Sequence, residues 1–457
     1  MRDRWLIRLL GCFALTLWLA APLVSAEESE AQPTEEKAAA QQEPEKEKPR
    51  RRGASSRREK EKKGAKEEGP KRDIRPREAK ILIEARELLA EEKFDEAEKV
   101  LGKLRLTSLK PYELALTHRI YAYIAYGRED SEKALEHMQA ALDVPDGLPK
   151  EDRADVLFQV AQLHGARQRW KDVISSLESW FQTVEKPNSL GYYLLAMSHY
   201  QLEEYDKALP PAKTAVEIAE NPQQSWLQLL LAIHLTTKQY TEATPVLVEL
   251  ITRYPNSGKN YWLQLSSLYG VQEKSDRALV VLELANRRGL LTDDRDLRRL
   301  AQLLLYNEIP IRAAALIEKS IEEKRIKEDA EIFEMLSNSF ILAREVRRAE
   351  PPLARAAELS ANGKLYVRLA QVRLLQENWN DAATALRQAL AKGGLEDTQG
   401  SVQLLLGITY YNKNELREAR NWFARAQQFG ATKAQAQTWL EHIDRELEAK
   451  NTGLQAG

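Results

Sequence analysis

Between residues 77 and 430 the apolar positions recur every three or four residues, and the pattern itself repeats about every 35. In the stretch NYWLQLSSLYGVQEKSDRALVVLELA (260–285), Trp262, Leu265 and Tyr269 share one face of a predicted helix. The polar turn EKSD follows, and Ala278, Leu282 and Ala285 then share one face of a second helix. Ala278 serves as a marker of the unit. Moving back by about 35 residues gives Ala243, Ala208 and Val173; moving forward gives Ala313, Ala349, Ala382 and Ala419. Ala134 and Ala97 fit more loosely at the N-terminal side. Each of the eight tighter units has an apolar or alanine residue four positions after the marker. A small residue at the marker lets two helices approach closely, and large residues fill the space on either side. One such hairpin cannot bury its apolar face alone, so successive hairpins stack and share a core. No run alternates apolar and polar residues with the period of a strand. The pattern predicts an all-α fold, an α-solenoid of about ten helical hairpins. Trp439, Leu440, Ile443 and Leu447 place a closing helix at 431–450, followed by a tail at 451–457.

The repeated unit resembles the tetratricopeptide repeat (TPR), whose pattern is W-x2-L-G-x2-Y, then A-x3-F, then P. The 260–285 unit keeps Trp262, Leu265, Tyr269 and Ala278, with Ser266 for the glycine and Leu282 for the phenylalanine. A later unit, LLLGITYY…REARNWF, keeps Leu406, Gly407, Tyr410, Ala419 and Phe423. Pro255 supplies the closing proline of one unit. Most single units are degenerate, and the recurrence carries the resemblance. It implies hairpins whose first helices line an inner, concave side.

The chain before the repeats changes the picture of compartment. Arg2, Arg4 and Arg8 precede a mostly apolar run, and small residues at Val24, Ser25 and Ala26 suit a signal peptidase. Residues 1–26 therefore read as a signal peptide and place the mature chain in the periplasm; an uncleaved anchor is the other option. Cys12 is the only cysteine, so the mature chain would contain neither a disulfide nor a thiolate metal ligand. Residues 27–76 are almost free of large apolar side chains and cannot offset the entropy of ordering. Acidic residues dominate the first part of this linker and basic residues the second. It reads as a solvated tether or as an electrostatic hook for an anionic partner. Overall the chain is 43% apolar and 30% charged with net charge −1, which gives no general attraction to nucleic acid or to an anionic membrane. Membrane association is expected only through partners or an uncleaved anchor.

Candidate chemistry is sparse. His164, His199 and His234 recur at intervals of 35 and suggest a metal. Equivalent residues of successive repeats lie at least about 8–10 Å apart on packed helices, whereas zinc needs nitrogens at about 2.0–2.1 Å. A packing role, in the slot filled elsewhere by Tyr269 and Tyr410, explains the spacing. No phosphate-binding loop, dinucleotide fingerprint, zincin motif or nucleophile elbow is present. No enzymatic activity, metal or cofactor is expected.

What remains is binding. Counting eleven residues back from the markers gives Gln162, Met197, Ala232, Ser267, Gln302, Asn338, Gln371 and Ile408 on the inner side of the first helices. The amides Gln162, Gln302, Asn338 and Gln371 carry both donors and an acceptor and suit a peptide backbone. Tyr123, Tyr126, Tyr193 and Tyr200 supply aromatic surface in the N-terminal half. The same row also fits a merely hydrated surface. The arrangement of signal, charged linker and repeats ending in YVRLAQVRLLQENWNDAATALRQALAKGGL resembles bacterial periplasmic TPR proteins associated with the TonB system. That resemblance implies a scaffold for protein or peptide partners, with inner-membrane motor or TonB-type proteins among them, in iron or siderophore uptake. Two alternatives stay open: a scaffold for envelope assembly or secretion, and a glycan-binding module or enzyme.

Overall fold

The computed structural model describes residues 70–455, with side chains to residue 450. The signal and linker expectations for residues 1–69 lie outside the described residues. Every regular element described is helical. The described chain divides into two compact units, with the boundary in sequence between Asn256 and Ser257.

The first unit contains five hairpins. Helices α1 (Pro76–Ala90) and α2 (Phe94–Leu101) form the first, and α3 (Pro111–Gly127) and α4 (Ser131–Asp143) the second. α5 (Lys150–Ala166) pairs with α6 (Trp170–Thr183), α7 (Ser189–Gln201) with α8 (Tyr205–Glu217), and α9 (Gln224–Thr236) with α10 (Tyr240–Arg253). The second unit contains five more. These are α11 (Lys259–Val271) with α12 (Ser275–Arg287), α13 (Asp294–Tyr306) with α14 (Pro310–Glu322), and α15 (Ala330–Leu342) with α16 (Val346–Leu359). α17 (Lys364–Leu375) with α18 (Trp379–Lys392) and α19 (Gln399–Asn412) with α20 (Leu416–Ala426) complete the series. A single helix, α21 (Lys433–Gln455), closes it. It extends five residues beyond the predicted closing helix and takes up most of the predicted tail.

The marker residues explain the stacking. Ala97, Ala134, Val173, Ala208, Ala243, Ala278, Ala313, Ala349, Ala382 and Ala419 are all 0% exposed. Four positions on, Leu101, Met138, Leu177, Ala212, Leu247, Leu282, Ile317, Leu353, Leu386 and Phe423 are also buried. Where two helices cross at an alanine, their backbones approach and the next turn's large side chain fills the gap beside it. At the C-terminal end Trp439 of α21 stacks flat on Phe423, ring centroids 5.2 Å apart, and so covers the last hairpin.

Every hairpin turns in the same way. Five residues before each marker the backbone enters the left-handed region, with φ between 57° and 63°, at Glu92, Glu129, Gln168, Glu203, Lys238, Glu273, Glu308, Arg344, Glu377 and Asn414. In the 260–285 unit the Glu273 amide donates to the Gly270 carbonyl and the Lys274 amide to the Tyr269 carbonyl, both at 2.9 Å. This is the helix stop in which a left-handed residue lets two amides satisfy the final carbonyls.

Residues 70–75, assigned to the linker from composition, are held on the first unit. Arg72 pairs with Asp152 at 2.9 Å and with Glu151 at 3.1 Å. Arg75 donates from its backbone amide (2.7 Å) and its guanidinium to Glu113, whose side chain is fully buried. The amide of Lys110 donates to the same carboxylate at 2.9 Å. Composition marks this stretch as solvated because it lacks apolar residues; ion pairs reaching 38 and 80 residues along the chain are invisible to that test.

Candidate functional site

The first helix of each hairpin buries one side in the stack and presents the other. On that presented side, residues four apart lie one above the other, and equal register positions of successive hairpins form rows. The predicted amide row is one of them. In the second unit Gln302 and Gln371 are exposed and Asn338 is half-buried. Asn338 is already engaged, its Oδ1 accepting from Arg368 at 2.6 Å, while Arg368 also pairs with Glu334. Gln302, Asn338 and Gln371 thus lie at one register on α13, α15 and α17.

In the first unit the picture differs. Gln162 is buried at 5% exposure, which takes it out of a presented row. Counting from a marker gives the direction of a side chain but not the height of its neighbours. Tyr193 is also buried, and its ring stacks on Trp226 of the next hairpin at 5.7 Å. It serves as packing between hairpins. Tyr123, Tyr126 and Tyr200 are half-buried. The Tyr123 hydroxyl donates to Gln159 Oε1 at 3.2 Å, and Tyr200 meets Tyr205 edge-on at 5.5 Å. These three leave aromatic surface partly open on α3 and α7. The structure thus sets Gln302, Asn338 and Gln371 at one register in one unit, while Tyr123 and Tyr126 on α3 and Tyr200 on α7 stand apart in the other.

The histidines point into their own turns. His199 Nδ1 lies 2.7 Å from Glu204 Oε2, and His234 Nδ1 lies 2.9 Å from Gln239 Oε1. Glu204 and Gln239 are the residues that precede α8 and α10. His164 lies 3.8 Å from Asp172 at the start of α6. Burial pulls the pKa of His164 and His234 below the ordinary value. The His199 and His234 rings tether the end of one helix to the beginning of its partner, while His164 Nδ1 is buried beside its turn without a hydrogen bond, and none faces another of the series.

A second row on the presented side was not anticipated. Seven residues before the marker the second unit carries Val271, Tyr306, Leu342 and Leu375, which are 39, 72, 61 and 82% exposed. They end α11, α13, α15 and α17 at one register. Beside three of them, one position earlier, stand Leu305, Ile341 and Leu374, all partly exposed. The corresponding residues of the first unit are Ala90, Gly127, Ala166, Gln201 and Thr236. The signal was present in the sequence: large apolar residues at a register outside the packing set, in four consecutive units. It was obscured because those residues also satisfy the three-to-four spacing that marks the core.

No family model matches the chain, and no curated protein matches it. Among solved structures, a tetratricopeptide repeat protein from Parabacteroides merdae is 18% identical, with 57% of this chain and 98% of that chain covered at a TM-score of 0.32. YrrB, described as a TPR protein with an unusual peptide-binding site, is 19% identical over 37% of this chain and 84% of its own, also at 0.32. The TPR2AB domain of yeast Sti1, in complex with an Hsp90 peptide, is 14% identical over 57% and 97% at 0.33. The hairpin architecture rests on the helices themselves rather than on these overlaps.

Proposed function

We propose that this protein is a non-catalytic TPR-type scaffold that binds protein or peptide partners along the presented side of its first helices. The observation that carries this reading is the row of Gln302, Asn338 and Gln371 on three successive first helices of the second unit, exposed or half-buried and standing outside the packed core. Amides that both donate and accept match a polypeptide. The sequence carries no phosphate-binding loop, dinucleotide fingerprint, zincin motif or nucleophile elbow. The leader-like N-terminus supports a periplasmic location, and the resemblance to TonB-associated TPR proteins supports an accessory role beside an energy-transducing motor of the inner membrane, with TonB-type proteins as the first candidates.

The test is surface-specific capture. Photoreactive residues at positions 338 and 371 are expected to cross-link the partner, while the same group at Arg287, exposed on the second helix α12, captures none. Capture from Arg287 alone would place binding on the other side of the hairpins and overturn the reading.

A further inference from the structure

We propose that the apolar row Val271, Tyr306, Leu342 and Leu375 is a docking strip for an amphipathic helix of a partner protein with Lys and Arg along one flank. The proposal rests on the scaffold reading above and names the partner's chemistry. Four large apolar side chains exposed at one register in four consecutive hairpins are not scattered surface residues. With Leu305, Ile341 and Leu374 beside them they form a band two residues wide.

The width and spacing of the band suit a helix. Packed neighbouring helices stand about 8–10 Å apart, and α13 and α15 touch directly. Seven residues of α-helix rise about 10.5 Å, so one apolar stripe of a helical partner can meet each row in turn. The amides Gln302, Asn338 and Gln371, one turn back, then meet polar side chains along one edge of that helix. A helix satisfies its own backbone and asks only for an apolar floor.

Charge decides between the flanks. On the helix side of the band stands the neutral amide row. Arg299 and Arg368, one turn further back, are engaged with Ser267 and with Glu334. On the turn side, two residues past Val271, Tyr306 and Leu375, stand the exposed carboxylates Glu273, Glu308 and Glu377. None of the three is paired with a cation among the described residues, and the turns hold their backbones at fixed left-handed positions. Arg344 is the exception in the row, and Lys274 is held by Gln272. A helix about 10–12 Å across lying on the band brings one flank over these carboxylates, where Lys and Arg are favoured over Asp and Glu.

The experiment uses the full chain and three synthetic peptides of about three heptads. One carries Leu on one face with Lys and Arg elsewhere, one carries the same Leu pattern with Glu, and one is a scrambled cationic control. Fluorescence anisotropy is expected to show the cationic amphipathic peptide binding at least about tenfold more tightly than the other two. Leu342→Asp and Leu375→Asp should each cost about tenfold or more, as expected for a buried leucine. Their helical circular dichroism should be unchanged, because both side chains are exposed. The pair Glu308→Gln and Glu377→Gln should lose several-fold and flatten the salt dependence. Equal binding of the Glu and Lys peptides, with both lost in Leu375→Asp, would overturn the charge assignment while leaving the scaffold reading intact. Unchanged affinity in both leucine variants would overturn the strip. Self-association of the full chain in sedimentation, abolished by Leu375→Asp, would show that a second copy occupies it and would overturn the proposal.

Discussion

At the residue level, the left-handed turn position defines the unit as sharply as the buried marker. Ten non-glycine residues hold φ near +60° five places before their markers. An L-residue there places its β-carbon close to a carbonyl, at a cost of about 1–2 kcal/mol, and glycine would remove that cost. Glycine also gains freedom in the unfolded chain, which takes back about 0.4–1 kcal/mol. Glu273→Gly is therefore expected to stabilise the second unit by up to about 1 kcal/mol, read as a shift in the urea midpoint. A clear loss of stability would mean that the Glu273 carboxylate makes a stabilising contact in the turn. This position was not legible in the sequence, because Glu, Gln, Lys, Arg and Asn share no side-chain chemistry that announces a positive φ. The markers were legible because burial selects for size, and alanine or valine stands at every one.

For the helices and turns, legibility followed what each needs. The hairpins were visible because their apolar periods are intrinsic to the helix. Their starts were less so: Pro210, Pro245 and Pro351 lie inside α8, α10 and α16, two places after the markers, where proline normally signals an end. Packing on the helices before and after holds α8 and α16 through the missing hydrogen bond, and packing on α9 holds α10. The attachment of residues 70–75 depends on Glu113. Burial alone would raise its pKa, but hydrogen bonds from the Arg75 guanidinium and backbone amide and from the Lys110 amide outweigh it and hold the carboxyl at about 2. A carboxyl whose pKa is lowered on folding adds stability above its unfolded value, about 4.3. That stability disappears as the pH falls toward 2, because the unfolded chain then binds the proton first. Glu113→Gln is thus expected to destabilise the first unit at pH 7 by on the order of 1–3 kcal/mol. The gap to the parent should shrink between pH 5 and pH 2. Urea titrations at pH 7 and pH 3 measure both arms; a gap independent of pH would show that the carboxylate charge plays no part.

Across the whole chain, stability is distributed by neighbour. Within each unit, helices contact those adjacent in sequence or next but one. No long-range clasp links distant hairpins of one unit among the described residues, apart from ion pairs such as Arg72 with Asp152. In such an array each hairpin draws its stability from its own fold and from at most two interfaces. A lesion therefore costs according to its position as well as its chemistry. Ala97 and Ala208 are equally buried at 0%, but Ala97 lies in the first hairpin and Ala208 in the fourth, with a hairpin packed on each side. Arginine at either site overfills the crossing and buries a charge without a partner, at several kcal/mol. Ala97→Arg is expected to unfold the first hairpin and leave α3–α10 protected. Ala208→Arg should break two interfaces and expose amides in the third, fourth and fifth hairpins together. Hydrogen exchange resolved by mass spectrometry distinguishes these outcomes peptide by peptide. Loss of protection across the whole first unit in both variants would show a single cooperative block, and the nearest-neighbour account of this fold would then be wrong.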